Sequence, residues 1–308
     1  MFLPKDFIET AEGLLFAVVV AGLEAGKIRC FLRYVRGENG RWRKVQTDEA
    51  NALLAQYYPD YCFHSPELDA FLHAVSVEKI IKHHHPQRRL TQILERSPND
   101  DIENDCVNLC LLFKQNGIDL NQFGVTGSLL IGQQKASSDI DLVCYDTTVF
   151  HQCRAVLRDL IEQNKLSNLK HDDWIESYER RDCDLNLENY IWHEQRKANK
   201  ALINGRKLDL SLIVPSQADA VIYQKCGTTT LCTMVTDDTL AFSYPAEFKL
   251  SHSTIQSVVC FTATYTGQAI AGETIEISGQ LEQDAKGNQR LVVGSTREAR
   301  GEYIKVIR

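Results

Sequence analysis

The segment Asp139-Ile140-Asp141-Leu142 sets the tightest limit on how this chain can fold. Acidic and apolar side chains alternate, so an extended strand puts Ile140 and Leu142 on one face and both carboxylates on the other. The apolar face demands a core beneath it. The acidic face demands something that offsets two neighbouring negative charges. Upstream, residues 123–126 read as a short strand running into Gly127-Ser128, where a helix begins. Glycine lets a ligand approach the backbone, and the free N–H groups of the helix start, with the Ser128 hydroxyl, form a cradle for phosphate.

A third carboxylate comes from residues 207–214, where Leu208, Leu210 and Leu212 alternate with Asp209 and Ser211 as in a half-buried strand. Asp184 is a rival for this place, but its polar surroundings and the nearby Arg180-Arg181 fit a loop better. Oxygen ligands completed by substrate phosphates are what Mg²⁺ accepts. Asp139, Asp141 and Asp209 beside a phosphate cradle therefore describe a two-metal phosphoryl-transfer site, two Mg²⁺ ions with Mn²⁺ as the alternative. One ion would grip a triphosphate. The other, held also by Asp209, would lower the pKa of an attacking hydroxyl.

Gly127-Ser128, then Asp139-Ile140-Asp141, then Leu208-Asp209-Leu210 resembles the nucleotidyltransferase signature of the DNA polymerase β superfamily, over about residues 105–215. More faintly, the layout resembles microbial predicted nucleotidyltransferases with a short N-terminal domain and a C-terminal β domain. The resemblance implies transfer of a nucleoside monophosphate from an NTP such as ATP to a hydroxyl, with pyrophosphate leaving. It gives the Gly-Ser pair the phosphates, the paired acids both metals and the third acid the catalytic metal. RNA, protein and small-molecule acceptors are not separated by the sequence.

Two further features bear on the nucleotide. Residues 196–207 carry Arg196, Lys197, Lys200, Arg206 and Lys207 and no acid, a cationic stretch suited to phosphate or nucleic acid, or equally to a solvated helix end. Ser138, just before Asp139, is placed to hydrogen-bond a metal ligand or a phosphate. The expected nucleotide contacts are thus Gly127, Ser128, Ser138, Arg196, Lys197 and Lys200.

Around this centre the chain reads as α+β in three parts. Residues 1–92 form a small N-terminal α+β region: strands at 14–20, 28–35 and 42–45, a turn at Gly37-Glu38-Asn39-Gly40, a helix through 57, and a second helix opened by Ser65-Pro66-Glu67 and running towards 81. Residues 93–216 form the nucleotidyltransferase-type mixed sheet, with helices at 101–115, 147–164 and 185–198. Residues 217–308 lose the helical period and read as an all-β small barrel or sandwich, with strands at 258–264, 274–281 and 290–294.

A net charge of −7 argues against a protein that coats nucleic acid by bulk positive charge. Ten scattered cysteines read as reduced, mostly buried thiols. The uncharged run 14–23 is half a membrane span and follows acids rather than bases, so no membrane, no secretion and a cytoplasmic setting are expected. P-loop, Rossmann and α/β-hydrolase motifs are missing from the text.

The competing reading is a catalytically inactive nucleic-acid-binding or scaffolding protein. Its single-strand surface would be the C-terminal β domain, with Phe261, Tyr265 and Tyr303 among Arg290, Arg297, Arg300, Lys305 and Arg308. His83-His84-His85 beside Pro86 is expected as a solvated linker, Cys106 and Cys110 as core thiols, and Trp174 and Trp192 as packing residues.

Overall fold

The computed structural model describes residues 1–38, 40–214, 221–296 and 299–308. Asn39 of the expected turn, Arg297 of the C-terminal basic set and the expected boundary at 216–217 lie outside the described residues. The protein is α+β and divides into two compact units. The first comprises Met1–Ser65, Phe71–Ser167 and Ala201–Gln217; the second comprises Pro66–Ala70, Asn168–Lys200 and Ala218–Arg308. Residues 1–92 thus share the first unit, apart from 66–70, with most of 93–216, whereas 168–200 belong to the second.

The first unit opens with β1 (Phe7–Thr10), β2 (Leu14–Val18), β3 (Lys27–Arg36), β4 (Trp42–Lys44), α1 (Thr47–Tyr57), β5 (Cys62–Ser65), β6 (Ala70–Ser76) and β7 (Ile80–His84). These strands make one sheet in the order β5-β6-β3-β2-β1-β7, with β4 alongside β3. Ile8, Phe16, Ile28, Leu32 and Val75 pack with Ala50 and Leu54 of α1 in one core cluster. Phe7 and Leu15 pack in another against Leu130, with Tyr34 and Trp42 beside them. Each such burial is worth roughly 1.5–3 kcal/mol. Coverage on both faces explains why all four residues of β1 are buried and why residues 14–18 read as an unbroken apolar run.

Two expectations give way to non-local pairing. Residues 66–81 do not form the helix that Ser65-Pro66-Glu67 announces; β6 and β7 stand there instead. β6 pairs antiparallel with β3, Leu72, Ala74 and Val75 are buried, and the Leu32 N–H donates to His73 Nδ1 at 2.9 Å. A helix cap contributes about 1 kcal/mol, too little to outweigh a paired, buried strand. The histidine triplet is likewise no linker. His83 and His84 end β7, in register with Ile8 and Phe7 of β1.

The chain continues through α2 (Pro86–Leu94), α3 (Asp101–Gln115), β8 (Phe123–Val125), α4 (Gly127–Leu130), β9 (Ile140–Cys144) and α5 (Thr147–Glu162). Asp100 caps α3, its Oδ1 accepting from the N–H groups of Ile102 and Glu103 at 3.0 and 2.8 Å. β10 (Lys200–Ile203) and β11 (Arg206–Leu212) form a hairpin through Asn204-Gly205, both at positive φ as a tight two-residue turn requires. The second sheet runs β10-β11-β9-β8, with β9 parallel to β11 and antiparallel to β8. Ile140, Leu142, Leu208 and Leu210 are each at most 1% exposed, which fixes the opposite face of β9 and β11 as the open one.

The second unit contains α6 (His171–Arg181), α7 (Leu187–Lys197) and the strands β12 (Tyr223–Asp237), β13 (Ala246–Leu250), β14 (Ile255–Cys260), β15 (Thr274–Asp284), β16 (Gln289–Val293) and β17 (Tyr303–Val306). Their order is β12-β13-β14-β16-β15-β17, and β12 also pairs with β15, so the ladder closes on itself. β12 makes this possible through its length: residues 223–234 pair with β15, and Val235 and Asp237 with β13. The expected strands at 274–281 and 290–294 are here, whereas β12 carries too little apolar alternation to be read in advance, and β13 alternates strictly but over five residues only. All ten cysteines are free, Cys106 and Cys110 within the core as expected. Among the described residues no helix is long and apolar enough to cross a membrane.

Candidate active site

β9 and β11 run side by side with Asp209 directly opposite Asp141, Leu208 opposite Ile140 and Leu210 opposite Leu142. The in-register aspartates have Cα atoms about 4.8 Å apart. Asp139 lies two residues before Asp141, just ahead of β9. All three carboxylates are half-buried, while their apolar neighbours point into the core. The sheet therefore sets two acids side by side on one face, with the third at the entry to β9.

The turn after β8 brings the backbone of Gly127 onto that face. The Thr126 N–H donates to the Asp141 carbonyl at 2.9 Å, so the chain leaves the ladder beside the second acid. Gly127 has φ +65°, and a Cβ built on it would lie 2.5 Å from Asp141 Oδ2. Only glycine satisfies both conditions. Gly127→Ala is expected to destabilise the protein by about 1–2 kcal/mol through left-handed strain and the clash with Asp141; an unchanged melting temperature would contradict this close approach. α4 is a single turn, so what the site offers at 127–129 is local backbone N–H groups rather than a helix macrodipole. Ser128 follows on this turn, its carbonyl accepting from the Gln133 N–H at 2.9 Å.

The loop leading to Asp139 is held by an arginine. Arg206 Nη1 donates to the carbonyls of Ala136 and Ser138 at 2.8 and 2.9 Å, while its Nε donates to Asp105 Oδ2 at 2.8 Å. Ser138 closes a turn within the loop: its Oγ accepts from the Lys135 N–H at 2.9 Å. Arg89 plays the same part for α4, its Nε donating to the Leu129 carbonyl at 2.9 Å and its Nη2 to the buried Glu103 at 2.8 Å. Arg206 thus serves as a positioning residue, a role that its place in a cationic run did not disclose.

One neighbour of the acids comes from the other sheet. Burial raises the Tyr34 hydroxyl above its ordinary pKa; Arg33 pulls it down, and the negative charge of Asp141 adds to the rise. Lys44 is the register partner of Tyr34 across β3 and β4. No local signal marks either residue, because only the fold brings β3 towards β9.

Arg196, Lys197 and Lys200 lie in the second unit, and each has partners there. Lys197 is 2% exposed, bonded to Glu194 and donating to the Thr264 carbonyl at 2.7 Å. Lys200 pairs with the same Glu194 at 2.8 Å. Arg196 bonds Glu273 at 2.5 Å and stacks on Trp192. Burial opposes the charge on Glu194, but Lys197 and Lys200 outweigh it and hold the carboxyl down at about 2. Asp184, the rival third acid, is also in this unit and accepts from the Gly301 N–H at 2.8 Å. Of the C-terminal set, Tyr265 is buried, Arg290 pairs with Glu282 at 2.8 Å and lies over Tyr223, and Arg308 lies over Trp192.

Three half-buried carboxylates and local backbone N–H groups offer oxygen ligands to a hard divalent cation and hydrogen-bond donors to an anion. The site residues named from sequence separate accordingly: Gly127, Ser128, Ser138, Asp139, Asp141 and Asp209 share the first unit, and the three cations do not. No protein-family model matches this chain. No solved structure matches it either. The uncharacterized protein MJ1086 of Methanocaldococcus jannaschii is 32% identical to it over 339 aligned residues, an alignment that takes in 99% of this chain and 98% of that protein. The chain belongs to the family of that archaeal protein.

Proposed function

We propose that this protein is a Mg²⁺-dependent nucleotidyltransferase that moves a nucleoside monophosphate from an NTP to a hydroxyl acceptor and releases pyrophosphate. The observation that carries the reading is the register of Asp209 with Asp141, with Gly127 pressed against the same carboxylate. In this reading the four-stranded sheet is of the nucleotidyltransferase type. Asp139 and Asp141 would hold two Mg²⁺ ions and Asp209 one of them, which when bound neutralise triphosphate charge and acidify the acceptor hydroxyl.

The chain's own residues supply position. Backbone N–H groups at 127–129 and the Ser128 hydroxyl would serve the phosphate oxygens, and the missing Cβ of Gly127 lets this turn lie directly against the Asp141 carboxylate. Arg206 and Arg89 fix the loop and the turn that flank this space. Rate would come from holding the NTP and the acceptor hydroxyl in line on a rigid acid face.

Calorimetric titration tests the site. ATP, GTP, CTP and UTP are titrated into the protein with Mg²⁺ and again with EDTA. At least one is expected to bind only with Mg²⁺, and Asp209→Asn should weaken that binding about tenfold or more. Equal affinity with and without the cation would overturn the reading.

A further inference from the structure

We propose a second metal site in the first unit, in which Asp6, His83 and His85 bind a divalent transition-metal ion of the zinc class. The three side chains offer two imidazole nitrogens and one carboxylate oxygen, all within 4.8 Å of one another. They converge because β1 and β7 are paired. β7 ends at His84, and His83 and His85, two apart, turn to one side. Asp6 immediately precedes β1.

The surroundings are those of a metal-ligand set. The Asp6 carboxylate is almost fully buried, accepting from the Leu3 N–H at 3.1 Å and lying 2.7 Å from His83 Nε2. Phe2 stacks on the His83 ring at 4.5 Å, covering one side. His84, facing the other way, lies 3.3 Å from Glu9 and takes no part. The rings of His83 and His85 have centroids 3.6 Å apart, close enough for one ion to reach a nitrogen of each. Among the described residues no hydrogen bond to the His85 ring is present, so its nitrogens are open to a metal.

Coordination at about 2.0–2.1 Å from each ligand would open the Asp6–His83 separation to about 3.3 Å, a shift of side chains alone. Two nitrogens and one oxygen suit Zn²⁺ and its neighbours and not Mg²⁺, which separates this site chemically from the aspartate face. Three protein ligands leave a fourth position for water or an incoming ligand.

The test is titration of Zn²⁺, and in parallel Co²⁺ followed by visible absorption, into the full chain with excess Mg²⁺ present. One equivalent is expected to bind, with a low-coordinate Co²⁺ spectrum free of sulfur charge-transfer bands. His85→Gln should lower affinity about a hundredfold or more, a ligand counting for no less than its outer-shell support, without moving the melting temperature of the metal-free protein. Asp6→Asn should lower affinity to a similar extent. Asp139→Ala/Asp141→Ala should leave it unchanged, so this proposal stands or falls apart from the nucleotidyl-transfer reading. Binding that survives His85→Gln, sulfur charge-transfer bands, or no bound equivalent would each overturn it.

Discussion

Asp141→Asn is expected to lower kcat/KM for nucleotidyl transfer by roughly three orders of magnitude or more, with the melting temperature moving by no more than about 2 °C. The argument for the loss is geometric. Asp141 has Asp139 two residues before it, Asp209 across the ladder and Gly127 against it from the turn. Asparagine keeps its shape and removes its charge. Ile140 and Leu142, the residues that anchor β9, are untouched. Because the acids would act together, Asp141→Asn/Asp209→Asn should be little worse than either substitution alone. Steady-state kinetics on the three variants checks this, and losses that multiply would mean that the acids act independently.

Glu194→Gln is expected to destabilise the second unit by about 3–5 kcal/mol, a drop of roughly 10 °C or more in its thermal transition. The substitution removes the Glu194 charge from beside the buried Lys197 ammonium, which also donates to the Thr264 carbonyl. Lys200, now also without Glu194, adds like-charge repulsion. In the wild type the Glu194 carboxyl falls from its ordinary 4.5 to about 2 on folding. A lowered folded-state value contributes stability that is present above the ordinary value and is lost as pH falls from about 4.5 towards 2. Acid unfolding of the variant should lack that part of the slope. Unchanged stability with altered nucleotide affinity would instead assign this cluster to phosphate binding.

The acid face was readable because strand alternation is local: two aspartates between apolar residues, and a third with leucines on both sides, determine their own orientation. Gly127 was readable because a strand meeting a helix through glycine restricts the turn. What escaped depends on partners distant in sequence. Tyr34 approaches Asp141 only through the packing of one sheet against α4. The histidines resembled a linker because a short polar run carries no period, and pairing with β1 makes it a strand. The Ser65-Pro66 cap signal is real chemistry overruled by pairing with β3. The cationic run 196–207 reads as a phosphate contact or a solvated helix end, yet the fold divides it, Lys197 into a buried ion pair and Arg206 under the loop before Asp139.

Transfer itself is the most direct measurement. The protein is incubated with each α-labelled NTP and Mg²⁺ in extract of its source cell, beside Asp139→Ala/Asp141→Ala. Label is predicted to move from one NTP onto an acceptor, with pyrophosphate released and no transfer by the variant; the size of the labelled product then identifies the acceptor class. Transfer that the variant performs equally well, or no transfer from any NTP, would contradict the assignment of the aspartate face as a nucleotidyl-transfer site.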